Sequence, residues 1–207
     1  MNELSKTLKR VLVPIADGSE EIEAVGIIDT LRRAGADVTV AAVSKLQITA
    51  SRGTRIIADT LLDHCRDREY DLIVLPGGMP GALKLRDSEI LAELLKKQVA
   101  EGRYYAAICA APAVVLAYHG LIGNRMATAY PSLVSQLPHQ QMVERRVVVD
   151  GKCITGKGPG AALEFALVLV GLLFGRDIQD RLSREMLVIL PWHEFYIEPA
   201  SSPQKEG

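Results

Sequence analysis

Short β-branched runs alternate along this chain with stretches whose apolar residues recur at helical spacing. Arg10 to Ala16 is the first run and ends at Asp17-Gly18-Ser19, the punctuation expected where a buried strand gives way to a helix. Ser19 is placed to cap that helix, with Glu20 and Glu21 in its first turn and Ile22, Val25, Ile28 and Leu31 as its core-facing stripe. Ala34-Gly35 closes it, and Asp37 to Val43 supplies the next β-rich run, so the opening reads as a βαβ unit.

The alternation continues. Asp71 to Leu75 predicts a strand ending in Pro76-Gly77-Gly78, and Leu91, Leu94, Leu95 and Val99 mark a helix after it. Tyr104 to Ile108 predicts the next strand and Ala111 to Tyr118 its helix; Lys152 to Thr155 and Ala161 to Leu173 form the last strong pair. Gln47 to Ile57 carries short β-like runs around Ser51-Arg52-Gly53 and reads as an edge hairpin. Strands alternating with helices imply an α/β fold with a mainly parallel sheet and helices on both faces.

Composition narrows the picture. The chain has 207 residues, 48% of them hydrophobic, which suits one well-buried core: a single domain over 10–198, with a flexible lead-in at 1–9 and a disordered polar tail at 199–207. Lys plus Arg number 24 against 25 Asp plus Glu, which gives no basic footprint for nucleic acid and favours a small, weakly charged or neutral substrate. The longest apolar stretch, Phe165 to Phe174, is far short of a membrane span and has Glu164 at its start. Cys65, Cys109 and Cys153 are an odd number at irregular spacing without a metal pattern, so reduced thiols are expected, and with them a cytoplasmic location; the N-terminus lacks the apolar core of a secretory signal.

In an open α/β sheet, sites form beyond the carboxyl ends of the strands. Three clusters lie there: Glu20, Glu21 and Glu23; Gly77 and Gly78; and Cys109. Ala107 and Ala111 flank Cys109 two residues away on each side, and Pro112 suits the first turn of a following helix. A tight strand-to-helix turn would expose the thiol beside helix N–H groups and favour thiolate at neutral pH. The alternative is a buried core cysteine. Glu23 lies near the buried side of its helix, where a carboxyl tends to keep its proton, or it is a solvated helix-start carboxylate like its neighbours. The N–H groups of Gly77, Gly78 and Ala110 could stabilise an oxyanion, although glycine turns are also plain loops. Gly156 to Gly160 matches no phosphate-binding pattern and reads as a turn. No histidine is well placed: His119 stands ten residues beyond Cys109, about 15 Å along a helix, and His64 with Cys65 reads as a solvated helix face rather than a metal site.

Five motifs in order resemble the ThiJ/PfpI family and, within it, its deglycase branch: Gly-Ser-Glu-Glu-Ile-Glu (18–23), Ser-Arg-Gly (51–53), Tyr-Asp-Leu-Ile-Val-Leu-Pro-Gly-Gly (70–78), Ala-Ala-Ile-Cys-Ala-Ala-Pro (106–112) and Gly-Pro-Gly-Ala-Ala-Leu-Glu-Phe-Ala-Leu (158–167). The resemblance implies a flavodoxin-like three-layer sandwich, with Cys109 as the nucleophilic, oxidation-sensitive thiol, Glu23 as its carboxylic acid and Gly77, Gly78 and Ala110 around them. It also implies a homodimer with the first helix and Arg52 near the interface, to which the extra apolar residues Ala24 and Ile27 would contribute. Two positions depart from relatives. Ala110 stands where the protease-like branch has histidine, so peptidase activity is not expected, and Tyr130 stands where many relatives have another. Two functions follow: a cofactor-free, metal-free glyoxalase or deglycase acting on small aldehydes or glycated protein, or a redox sensor or redox-regulated chaperone working through oxidation of Cys109 to sulfinate.

Overall fold

The computed structural model describes residues 8–198, so most of the lead-in and the whole tail expected at 199–207 lie outside the described residues. Among the described residues eight strands form one sheet: β1 (Arg10–Ile15), β2 (Asp37–Ala42), β5 (Thr60–Leu61), β6 (Leu72–Leu75), β7 (Tyr104–Ile108), β8 (Val147–Asp150), β9 (Cys153–Gly156) and β10 (Phe195–Ile197). Their order is β10-β8-β9-β7-β6-β1-β2-β5. Every neighbouring pair is parallel except β8 with β9, which are joined through Gly151 as an antiparallel hairpin. The run β2-β1-β6-β7-β9 is the flavodoxin-type order, whose direction of winding reverses between β1 and β6. The expected edge hairpin is a separate two-stranded ribbon of β3 (Gln47–Thr49) and β4 (Arg55–Ile57).

Two apolar layers enclose the sheet, which makes the three-layer sandwich. On one face Val11, Val13 and Ile15 pack with α1 (Glu21–Arg33), α4 (Ala162–Phe174) and α5 (Arg176–Glu185); on the other Leu12, Ile73 and Tyr105 pack with α3 (Glu89–Ala100) and the wide helical turn Pro112–Ala117. Alternate residues of β1 therefore serve opposite cores, and the buried strands read as continuous apolar runs. A short helix, α2 (Gly81–Arg86), follows the glycine turn.

The first helix differs from its sequence reading in two respects. Its cap is Glu20, whose carboxylate accepts the Glu23 N–H at 2.7 Å; the Ser19 hydroxyl turns back to accept the Ala16 N–H at 3.0 Å and is fully buried. Its buried face is Ala24, Ile27, Ile28 and Leu31, whereas Ile22 and Val25 are 60% and 49% exposed. Ala24 and Ile27 are thus core residues rather than interface residues. The helix has apolar side chains on more than one face, and periodicity alone does not say which turns inward. Among the described residues no helix is long and apolar enough to cross a membrane.

Candidate functional site

The carboxyl ends of β1, β6, β7 and β9 meet at the winding reversal, and the three clusters of the sequence converge there. Cys109 is the first residue beyond β7. It sits at φ 65, a left-handed conformation that a side chain adopts only when its surroundings force it. Those surroundings are two hydrogen bonds: the Cys109 N–H donates to the Gly156 carbonyl at 2.9 Å, and its carbonyl accepts from the Tyr130 N–H at 2.7 Å. The backbone is pinned from both sides, and the strand-to-helix elbow expected from the alanines is present. Gly77 makes this possible, since a Cβ there would lie 2.7 Å from that of Cys109 and 2.8 Å from the Ala110 nitrogen.

Glu23 reaches the same point from α1. It is fully buried; its Oε2 accepts the Gly77 N–H at 2.7 Å, while Oε1 has no hydrogen-bond partner among the described residues. Burial pushes its carboxyl up to about 7 despite that N–H. The Cys109 thiol is pushed up to about 12, first by burial and then by the charge of Glu23, against the N–H groups of Gly78 and Ala110, which pull it down. The thiolate expected at neutral pH is therefore not the resting form beside an ionised Glu23: two buried acids in contact hold at most one negative charge between them. A proton on Glu23 lifts the repulsion and leaves the two N–H groups facing the sulfur. The pair is a proton-sharing couple rather than a thiolate with a helper.

Above the couple opens a cavity of about 670 Å³, lined among others by Gly78, Cys109, Ala110 and Tyr130. Gly78 and Ala110 thus stand where an oxyanion would form. Gly77 does not, because its N–H is committed to Glu23. Tyr130 is half-exposed on the wall, its ring 3.4 Å from where a Cβ of Gly158 would stand. Arg52, assigned to the dimer region in the sequence, lies in the cavity lining with Ser51.

A model of the DJ-1/PfpI family matches residues 9–172. The chain belongs to the DJ-1/PfpI family. It is 51% identical over 180 residues to protein DJ-1 homolog B of Arabidopsis thaliana, covering 86% of this chain but only 41% of that relative, so it spans less than half the plant protein. It is 36% identical over 178 residues to the glutathione-independent glyoxalase DJR-1.2 of Caenorhabditis elegans, covering 85% of this chain and 94% of that one. A solved structure of oxidized DJ-1 from Toxoplasma gondii superposes with a TM-score of 0.85 at 47% identity, over 87% of this chain and 98% of that one.

Within this family fold the other cysteines stand apart. All three are unpaired, but Cys65 and Cys153 are 0% exposed against 7% for Cys109. His119 binds the Arg86 carbonyl through Nε2 at 2.8 Å, and His64 meets Thr60 at 3.1 Å, so neither serves the couple. Sequence reasoning missed Met79, Ser132, Leu133 and Pro159 on the cavity wall. Pro159 had a signal, because Gly158-Pro159 lies just beyond β9, a fourth carboxyl end at the same crevice. Ser132 and Leu133 stand on the two-turn 3-10 segment Pro131–Gln136 and carried none.

Proposed function

We propose that the chain is a glutathione-independent glyoxalase, with deglycase action on the early adducts of the same dicarbonyls as a second substrate form. The observation that carries this is the couple itself: a thiol on a strained elbow at a cavity floor, beside a buried carboxyl with one unpaired oxygen. With methylglyoxal, Sγ adds to the aldehyde carbon while the thiol proton passes to Glu23, and the new oxyanion lies against the N–H groups of Gly78 and Ala110. Glu23 returns a proton to that oxygen and then takes the hydrogen on the same carbon, giving an enediol; reprotonation at the neighbouring carbon leaves a thioester of lactic acid. Water cleaves the thioester to lactate and frees the thiol. The aldehyde is oxidised as the ketone is reduced, so no outside oxidant enters. The name of the worm relative supports this reading.

A second reading, a redox sensor or redox-regulated chaperone, is favoured by the oxidized state of the Toxoplasma relative. Two peroxide molecules would convert the thiol to a sulfinic acid and two waters, and Gly78 and Ala110 would donate to its oxygens. Three free thiols suit a reducing compartment such as the cytoplasm under either reading. A twofold homodimer through α1 belongs to the same proposal, with exposed Ile22 and Val25 as its apolar contacts; a monomer at micromolar concentration in sedimentation would remove that part.

The deciding measurement is lactate production from methylglyoxal by fully reduced protein, beside Cys109→Ser and a control with free thiol alone. Production well above both is expected. Equality with the control removes the glyoxalase reading and leaves the sensor.

A further inference from the structure

We propose that the Cys109 cavity selects dicarbonyls that carry an anionic oxygen group away from the aldehyde, and that Arg52 recognises that group. The identity of the reacting carbonyl rests on the glyoxalase reading. The recognition does not.

The cavity is too large for its simplest substrate. About 670 Å³ lies in the ~300–1,000 Å³ range of sites that enclose whole small molecules, whereas methylglyoxal would fill only the floor around Cys109. Beyond the floor the lining is apolar at Met79 and Leu133, and among the described residues Arg52 is its one cation. Among the described residues neither nearby acid pairs with its guanidinium. Glu20 also lines the cavity, but its Oε2 caps α1 by accepting the Glu23 N–H. Glu21 accepts from the Ser51 hydroxyl at 2.9 Å, from the Arg52 N–H at 3.0 and 3.1 Å to its two oxygens, and from the Thr54 N–H at 3.4 Å. Burial opposes its ionisation, but Glu21's own N–H and then these donors outweigh it and hold the carboxyl down at about 2.

Glu21 is thus a positioning residue, its charge committed to the backbone of the turn that presents Arg52. Among the described residues no carboxylate pairs with the guanidinium itself. A planar guanidinium without a partner, fixed at its backbone on a cavity wall, matches carboxylate or phosphate oxygens by a charge-assisted, bidentate contact. Because Arg52 is exposed, the expected gain is modest, about five- to tenfold in kcat/KM.

The test compares 4,5-dioxopentanoate with 2-oxopentanal, dicarbonyls of equal chain length that end in carboxylate and methyl. Each takes up one water to give its 2-hydroxy acid by the same internal redox step. Wild type is expected to prefer the carboxylate about five- to tenfold, with the preference shrinking as salt is added. Arg52→Ala should abolish the preference, Arg52→Lys should keep part of it, and Glu21→Gln should weaken it with Arg52 intact. No preference in wild type, or one that survives Arg52→Ala, overturns the proposal. A second readout needs no turnover: acetate and inorganic phosphate, tested separately, should slow alkylation of Cys109 in wild type but not in Arg52→Ala, and the stronger of the two names the oxygen group. Protection without turnover of either dicarbonyl keeps the subsite and removes the glyoxalase reading. Equal turnover of both without protection does the reverse.

Discussion

Cys109 and Cys153 stand on neighbouring strands, one just past the end of β7 and the other at the start of β9 opposite Tyr105, and both thiols are pushed up to about 12. The same value has different causes. Cys153 is raised above all by burial in a sealed core, with Tyr105 and Arg125 pulling slightly the other way. Cys109 is raised by burial and then by Glu23, whose own carboxyl sits at about 7. One penalty is permanent, while part of the other disappears when a single proton arrives. The proposed reactivity of Cys109 rests on the part of the shift that can be removed, and on the cavity that admits a reagent.

The largest effect that tests this contrast is alkylation of the native protein. Cys109 should react at least about a thousandfold faster than Cys65 or Cys153, which become accessible only when the core opens. Comparable rates, followed by mass spectrometry at pH 6, would falsify the assignment of Cys109 as the reactive thiol.

Glu23→Gln separates the two roles of the acid. Lactate production should fall about 10²–10⁴-fold, because the proton shuttle is gone. Alkylation of Cys109 should instead accelerate, because the charge that raises its pKa is gone. If both rates fall together, Glu23 acts on folding rather than on the thiol.

Stability against pH gives the next effect. Glu23 has a folded pKa raised from 4.5 to about 7, so its contribution is fully present below about pH 4.5 and is lost as pH rises through 7; the difference is roughly 3 kcal/mol. Denaturant unfolding at pH 5 and pH 8 should show wild type losing stability relative to Glu23→Leu over that window. Parallel curves would mean the carboxyl is not buried in solution. The smallest effect is at the silent cysteine: Cys153→Ala should cost about 1–2 kcal/mol in unfolding through the small void it leaves, with lactate production unchanged.

Much of this organisation was legible in the chain. The strands at Arg10, Asp37, Asp71 and Tyr104 lie within a residue or so of their sequence limits, because each is a β-branched or apolar run with clear punctuation. The elbow was legible through Ala107 and Ala111. What escaped has physical reasons. β8 is Val147 to Asp150 before Gly151, and its Asp-Gly turn was a hairpin signal left unread. β5 and β10 have two and three residues and exist through pairing with β2 and β8, which local pattern does not encode. α5 is strongly polar and depends on contact with α4, which buries Leu182. At the site the residue types were readable but the division of N–H groups was not: that Gly77 serves Glu23 while Gly78 and Ala110 face the sulfur depends on angstrom-scale placement.

The left-handed backbone at Cys109 sets a limit on how far this protein can be made robust. Glycine would relieve that conformation without cost to the hydrogen bonds on either side, whereas leucine at position 23 would leave the buried Gly77 N–H without its acceptor. A search for thermal tolerance alone would therefore favour glycine at position 109 and lose the thiol, so selection for heat resistance in this scaffold needs an activity screen beside it.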